Sequence, residues 1–597
     1  MKRTPCHNHP WLFPAAGILL AGTAFFFLEM ILRIIPTTTP PPKAQALEWF
    51  VSSMCEPDPD GPGMRIIHPL LREPRSILPR TNDHFRVVIA GGSAAQSWPL
   101  EHERGIAMHL ERCLNAVGAG QSAEVICIAG NTFGSHRVRW SVDEIGSFRP
   151  DHVIIMSGNN EFLEHFLLHG RPERVWNRWR RMLLRLELVR RSIRIQRPSR
   201  RPDRAVFAGF HEFEHTEWPL CPTSAPEIAF PGWRKTTLDS LTRQRILEAY
   251  RRNIEAMIRT IRDRGGEPLL VTMPVNLRNW VPGLSVHGIP ADDPVIDSWY
   301  QAFMLGKRNQ QAGDYRLAEQ AYIRSIERDD QYAETWFRLG ECRFAQGDTT
   351  GARAAFEAAL ERDAYASRCL PETNRMIRDM AAEMNVILID LDGALSERSP
   401  GGIAGSEFFL DHVHLNAAGI AVAVELFFHA LMGPDIQPEE LPEQTTGFFG
   451  DRISWDGTSF DVIRQVLRMA LMHNQVELSL NLCGALNTWI ERMVDTEEAS
   501  GVKRQTLEGI ERRTEAVRRA LKSFVDWETI RLLDEEEMPD DSERTRQMRR
   551  QMIDALRLVG DPSVDAAFET GFIQRMGIET DPGERHRYRI EHEVRMQ

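Results

Sequence analysis

The chain is short of cysteine, short of basic charge and, past its first few dozen residues, short of long apolar runs. Its eight cysteines (Cys6, Cys55, Cys113, Cys127, Cys221, Cys342, Cys369 and Cys483) are scattered over 597 residues. No Cys-x-x-Cys pair and no His/Cys cluster occurs, which argues against a structural zinc site. No metal and no cofactor is expected. One disulfide is open to an exported domain, with no pairing legible. The formal net charge of −12 argues against bulk nucleic-acid binding and says little about substrate. What is present is globular: 42% of residues are hydrophobic and 26% charged. The length suffices for about three or four domains.

The one long apolar run lies near the start. Residues 11–28 carry no charge, and apolar character resumes after Glu29 and reaches Ile35. A bilayer span needs about 20 such residues, so residues 11–35 read as a transmembrane anchor. Lys2 and Arg3 before it keep the N-terminus cytoplasmic. The bulk of the chain would then be periplasmic or otherwise extracytoplasmic. A cleaved signal peptide is the rival reading, but the run is long for one and no clear Ala-x-Ala site comes after it. Residues 36–44 form a Pro/Thr stalk, and residues 45–84 an irregular lead-in.

Residues 86–93, Arg-Val-Val-Ile-Ala-Gly-Gly-Ser, are the stretch around which the rest of the chain is organised. The apolar run Val87 to Ala90 reads as a buried parallel strand. Gly91 and Gly92 turn the chain sharply and leave Ser93 at the strand's C-terminal end, where open α/β sheets keep their reactive groups. Four more strands are expected: Glu124 to Ala129, His152 to Ser157, Pro268 to Met273 and Val386 to Leu391. Helices are expected at 101–117, 136–147, 241–264, 372–384 and from after Gly419 to 432. Strand alternating with helix implies a parallel sheet. The loop Pro274 to Trp280 carries Asn276 and Arg278, which could contact substrate or merely be surface polarity. Residues 396–407 read as a Gly/Ser/Pro loop.

Between the fourth and fifth strands the sequence repeats itself. Leu305-Gly306, Gly313-Asp314, Ala318, Tyr322, Ile326 and Asp329 return as Leu339-Gly340, Gly347-Asp348, Ala352, Phe356, Leu360 and Asp363. Every offset is 34, the tetratricopeptide period. Two repeats cannot form a long solenoid, so they should lean on a neighbouring domain. They serve either to dock a protein partner or as a structural insert. Residues 171–204 add an Arg-rich amphipathic helix, either on anionic lipid or docked on the domain. Residues 436–597 read as a helical region with no assignable chemistry.

Four stretches carry candidate chemistry: Ser93; Gly130-Asn131-Thr132; Gly158-Asn159-Asn160; and Asp411-His412-Val413-His414. In this order, each after a strand, they resemble the motif blocks of the SGNH (GDSL-type) hydrolase superfamily. Two blocks depart from its pattern: Gly92 replaces the Asp of Gly-Asp-Ser, and Cys127 to Phe133 replaces an Asn-x-Gly-x-x-Gly block. Asn160-Glu161-Phe162-Leu163-Glu164, Pro274 to Arg278 and the embedded repeats further resemble bacterial membrane-anchored members carrying tetratricopeptide repeats. The resemblance spans roughly residues 85–432.

That resemblance implies a three-layer, flavodoxin-like α/β fold with a five-stranded parallel sheet. To it are joined an inserted helical repeat pair, the N-terminal transmembrane helix and the C-terminal helical region. The units would be 1–36 (tip and anchor), 37–84 (linker), 85–300 and 370–435 (the two parts of the hydrolase domain), 301–369 (repeat insert) and 436–597. Ser93 would be the nucleophile, His414 the base and Asp411 the group that fixes the imidazole tautomer. His412 is the competing base, disfavoured because it breaks the Asp-x-x-His spacing. The oxyanion donors would be the N–H of Ser93, the N–H of Gly130 or Thr132, and the Asn160 amide; a helix N-cap is the other reading of Asn160. The expected activity is that of a serine esterase on O-acyl esters of a glycan, lipid or small molecule. The alternatives are an acyltransferase of the same chemistry and a non-catalytic docking protein with a decayed hydrolase core.

Overall fold

The computed structural model describes residues 84–167 and 240–438 with few interruptions, and short pieces of 55–79 and 448–484. The anticipated membrane anchor (11–35), the stalk, the Arg-rich helix (171–204) and most of 436–597 lie outside the described residues. Among the described residues, no helix is long and apolar enough to cross a membrane.

A five-stranded, wholly parallel sheet forms the centre. Its strands are β1 (His84–Gly91), β2 (Ser122–Cys127), β3 (His152–Met156), β4 (Glu267–Val271) and β5 (Ile387–Ile389). They lie in the order β2-β1-β3-β4-β5. Val87 pairs with Val125 on one side and His152 on the other, and Leu270 with Leu388. All strands point the same way, so their C-terminal ends share one edge. Chain direction across the sheet reverses between β1 and β3, and a crevice opens at such a switch.

The apolar runs are continuous because both faces are covered. Val87 and Ile89 of β1 face one core, with α1 (Ile106–Val117) and α11 (Ala417–Met432). Val88 and Ala90 face the other, with α2 (Ser135–Glu144), α4 (Ser240–Asp263) and α9 (Pro371–Glu383). The short helix α3 (Glu161–Leu167) comes after β3.

The 34-residue period becomes two helical hairpins. They are α5 (Val295–Gln311) with α6 (Tyr315–Ile326), and α7 (Ala333–Ala345) with α8 (Thr349–Arg362). Each repeated residue has one physical task. Gly313 and Gly347 turn the chain at φ 78° and 84°. Asp314 and Asp348 cap the helices after them by accepting from the N–H of Leu317 and Gly351. Gly306 and Gly340 admit the rings of Tyr322 and Phe356, which would lie 2.6 and 2.7 Å from an added Cβ. Ala352, Phe356 and Leu360 belong to the same core as β1, so the second repeat does lean on the α/β domain. The first helix of the insert begins at Val295, ahead of the boundary at 301 drawn from the sequence.

Several expectations need correction. The fifth strand stops at Ile389, and Leu391 instead opens α10 (Leu391–Arg398). Asp390 decides this by accepting from the N–H of Gly393, an N-cap set between two apolar residues of a short run. The stretch read as a loop from 396 therefore starts inside a helix. The irregular lead-in contains a small antiparallel sheet of Cys55–Pro57, Met64–Ile66 and Ser76–Ile77. In the C-terminal region, where few residues are described, Phe448–Phe449 pairs with Arg452–Ile453 as strands, and Val466, Ala470 and Leu482 to Gly484 are helical, as expected. None of the six described cysteines forms a disulfide.

Candidate active site

Ser93 lies just past the end of β1, where the chain bends out of the sheet. The bend is tight: a Cβ on Gly91 would sit 2.2 Å from the Met156 carbonyl oxygen. Asp411 and His414 come from the loop between α10 and α11. That loop is closed on itself by Leu410 donating to the His414 carbonyl at 2.8 Å and by a bridge between Phe409 and Leu415.

The three side chains meet. His414 Nε2 is 2.8 Å from Ser93 Oγ, and His414 Nδ1 is 2.6 Å from Asp411 Oδ2. An ionised carboxylate only accepts, so Nδ1 carries the proton and Nε2 is left to accept from the serine hydroxyl. Asp411 Oδ1 accepts from the N–H groups of Val413 and His414, both at 2.9 Å. Asp411 is fully buried. Burial alone would raise its carboxyl. The neighbouring charges of His414 and His412 and the hydrogen bonds from their rings outweigh it and hold the group well below the usual carboxylate range. Ser93 is half-buried, and Trp98 packs against the His414 ring at 4.7 Å.

His412 does not compete for Ser93. Its Nδ1 is 3.3 Å from Asp411 Oδ1, and its ring lies 5.6 Å from that of Trp280. Burial, against the pull of Asp411, lowers its pKa. Asp411, His412 and His414 offer ligand atoms within 4.8 Å of one another, a grouping that could hold a metal ion. Both nitrogens of His414 are already engaged by Asp411 and Ser93.

Of the donors expected from the sequence, Gly130 is not available. The N–H of Gly130 is donated to the Gly91 carbonyl at 3.1 Å, continuing the β1–β2 ladder, so Gly130 has no donor to offer. Its glycine is required for packing instead, since a Cβ would meet the Phe133 ring at 2.7 Å. Thr132 has φ 60°, and neither its N–H nor that of Ser93 has a partner among the described residues. Asn160 precedes α3, but its amide does not cap that helix; Nδ2 donates to the Phe133 carbonyl at 3.1 Å. A primary amide has two donors, so one remains. A Cβ on Gly92 would sit 2.8 Å from Asn160 Nδ2 and 3.0 Å from the Phe133 oxygen. The absence of a side chain at Gly92 leaves room for the Asn160 amide.

Behind Asn160, α3 is clamped to the first turn of α2. Ser135 N–H donates to both oxygens of Glu161 at 3.0 and 3.1 Å, and Ser157 Oγ donates at 3.2 Å. Glu164 accepts from His136 N–H at 3.1 Å and Arg137 Nε at 2.6 Å, and Arg137 also reaches the Thr132 carbonyl. Burial, reinforced by the charge of Glu164, pushes Glu161 up to about 7.

The Asp411–His414 loop is supported from behind by residues that no local sequence signal marks. Asn276 is buried rather than substrate-facing, and it binds the carbonyls of Asp411 and His412 at 3.1 and 2.9 Å. Arg278 pairs with Glu407 at 2.6 Å. Arg368, just after the repeats, is also buried and carried no sequence signal.

The fold and site thus define a mixed α/β protein with a Ser-His-Asp arrangement at the edge of a parallel sheet, and with a helical repeat insert. Comparison with known proteins identifies the insert: the tetratricopeptide repeat family model matches residues 303–367. A TPR repeat-containing protein of Pseudomonas aeruginosa is 40% identical over 65 residues. That match covers 11% of this chain and 62% of the relative, less than two thirds of its length.

Proposed function

We propose that the chain is a serine-dependent ester-cleaving or acyl-transferring enzyme with a tetratricopeptide docking module built into its catalytic domain. The observation that carries this reading is the unbroken relay from Ser93 through His414 to Asp411, at 2.8 and 2.6 Å. A serine hydroxyl is a weak nucleophile until a base takes its proton, and His414 Nε2 stands where that base must stand. The hydroxyl oxygen attacks the acyl carbon of an ester and its proton passes to His414. Asp411 stabilises the resulting imidazolium. The negative oxygen that develops would be held by the N–H of Ser93 and the free donor of Asn160, with Thr132 N–H as the third candidate. His414 then gives its proton to the departing alcohol. Water, or the hydroxyl of an acceptor, resolves the acyl-enzyme by the same route in reverse.

The motif order of the SGNH (GDSL-type) hydrolases supports this assignment, as does the position of Ser93 and Asn160 after the two strands flanking the topological switch. The substrate class is an O-acyl ester on a glycan, lipid or small molecule. Residues 11–35 would anchor the chain in the inner membrane, with the catalytic domain outside the cytoplasm. The test is covalent labelling of the full chain by a fluorophosphonate probe. Labelling at Ser93 that disappears in His414→Ala upholds the proposal; equal, slow labelling of both proteins defeats it.

A second reading has one observation in its favour, namely that the matched family is a repeat family associated with docking. The chain would then recruit a protein partner through residues 303–367 with an inert α/β core. Undiminished partner binding by Ser93→Ala, together with no ester turnover by the parent protein, would select it.

A further inference from the structure

The loop after β4 and the turn that ends the repeat insert meet behind the Asp411–His414 loop. Asn276 is 1% exposed, and its polar atoms are distributed in a definite way. Its N–H donates to the His412 carbonyl at 2.9 Å, and Nδ2 donates to the Asp411 carbonyl at 3.1 Å and Ser406 Oγ at 3.4 Å. Its Oδ1 accepts from Asn279 N–H at 3.0 Å, which closes the loop on itself. Two backbone carbonyls of the segment carrying the acid and the base are thus held by one side chain and its own amide. Among the described residues, no other side chain bonds the Asp411 carbonyl.

Asn276 is itself held from the repeat side. Arg368 Nη1 donates to the carbonyls of Asn276 and Trp280 at 3.2 and 3.0 Å, and Nη2 pairs with Asp363 at 3.0 Å. Asp363 also accepts from Gly283 N–H at 3.0 Å. It is the last residue of the second 34-residue repeat unit. A guanidinium bridges three acceptors in one plane, which a lysine cannot do. Burying a charge here costs stability unless it is paired and hydrogen-bonded; Arg368 is both, so the arrangement has a reason to be kept as a unit. Trp280, fixed by the same arginine, packs its ring on His412.

We infer that Asn276 is a positioning residue for the Asp411–His414 pair, and that Arg368 and Asp363 make the end of the repeat insert part of the same support. The inference rests on the proposed reaction only for its kinetic consequence. A catalytic distance set to a few tenths of an ångström then depends on hydrogen bonds made outside the site. The same contacts give the repeats a physical route to the base: a partner that shifts the Asp363 turn acts on Asn276 through Arg368.

The test uses the full chain and three variants, Asn276→Asp, Arg368→Lys and His414→Ala. Asn276→Asp keeps size, the backbone donor and the acceptor for Asn279, and turns the Nδ2 donor into a carboxylate oxygen that repels the Asp411 carbonyl. Melting temperature reports whether each variant is folded. Turnover of a short-chain aryl ester should fall about tenfold or more in kcat with KM within twofold for Asn276→Asp, and less for Arg368→Lys. The low-field proton resonance of the His414–Asp411 hydrogen bond, identified by its absence in His414→Ala, should broaden or vanish in Asn276→Asp while the fold persists. An unchanged resonance and unchanged kcat overturn the inference. Should the parent chain turn over no ester at all, the enzyme reading fails by itself. The resonance then still decides the inference: its loss in Asn276→Asp upholds the positioning role, and its persistence ends it.

Discussion

His414 Nε2 and Ser93 Oγ stand 2.8 Å apart although 321 residues separate them in the chain. Two sheet-edge loops, from opposite ends of the domain, bring them there. Asp411 completes the line from the far side of the imidazole. Removing any member should therefore act on rate far more than on fold. Ser93→Ala and His414→Ala are expected to reduce aryl-ester turnover to the buffer rate. Asp411→Asn, which spoils the tautomer, should cost on the order of 10⁴-fold in kcat. Stopped assays with matched melting curves check this, and wild-type rates in both of the first two variants would refute it.

His412 provides the internal control. It is buried against Trp280 rather than turned to Ser93. His412→Gln should keep turnover within about tenfold of the parent, since no proton passes through it. Full loss on His412→Gln together with retained activity on His414→Ala would reverse the assignment of the base.

Gly92 and Asn160 are expected to fail together. A methyl group at 92 would press on Asn160 Nδ2 at 2.8 Å. Gly92→Ala should displace the amide, and its effect on kcat should approach that of Asn160→Ala, about 10²- to 10³-fold for one oxyanion donor. The double variant should be little worse than either single one, because both remove the same contact. Additive losses in the double variant would mean that Gly92 acts elsewhere.

The buried Glu161 predicts a pH-dependent stability. Its folded pKa of about 7 lies above the ordinary value of 4.5. The folded chain therefore holds a proton that the unfolded chain has already released between those values. Stability contributed at this site is full below about 4.5 and declines as pH rises toward 7, by roughly 3 kcal/mol at most. Asp411, depressed in the fold, acts oppositely: its contribution stands above the ordinary value of 3.8 and is lost in more acid solution. Glu161→Gln mimics the protonated form. Its melting temperature relative to the parent should climb between about pH 5 and pH 7 and level off above that, and a flat difference would show that Glu161 is ionised throughout.

The repeat glycines allow a stability test remote from the site. An alanine at 340 would place its Cβ 2.7 Å from the Phe356 ring. Gly340→Ala should cost about 1–3 kcal/mol by overpacking. Because Phe356 is shared with the central core, the loss should appear in the melting of the α/β domain and not only of the repeats. Melting curves followed by tryptophan fluorescence would reveal an effect confined to the insert, which is the contrary result.

Much of the architecture was legible because local rules set it. The apolar run Val87 to Ala90 ended at a glycine pair and became β1 as expected, and the 34-residue period became two helix pairs with Gly and Asp in equivalent turns. The end of the fifth strand is not legible in the sequence. Val386 to Leu391 looks like one run, and only the capping bond from Gly393 to Asp390 shows where strand gives way to helix. Asn160 kept its place beside Ser93 but not its anticipated alternative as a cap, since the Phe133 carbonyl that holds it is 27 residues away. Flexibility points to Gly130 as a donor. The ladder bond to Gly91 took its N–H, and no local signal announces a bond of that kind.

By itself, the sequence determined which residue types come after which strands, where the repeats lie, and that a serine, an asparagine, an aspartate and a histidine stand at loop ends. Those are consequences of side-chain periodicity and turn chemistry, which act over a few residues. The spacing already favoured His414 over His412; the tertiary structure alone decided which amides remain unpaired beside Ser93, and that a buried asparagine and arginine tie the repeats to the Asp411–His414 loop. These depend on contacts between segments tens to hundreds of residues apart. Parallel packing of the five strands creates those contacts only once all their ends have been gathered on one edge.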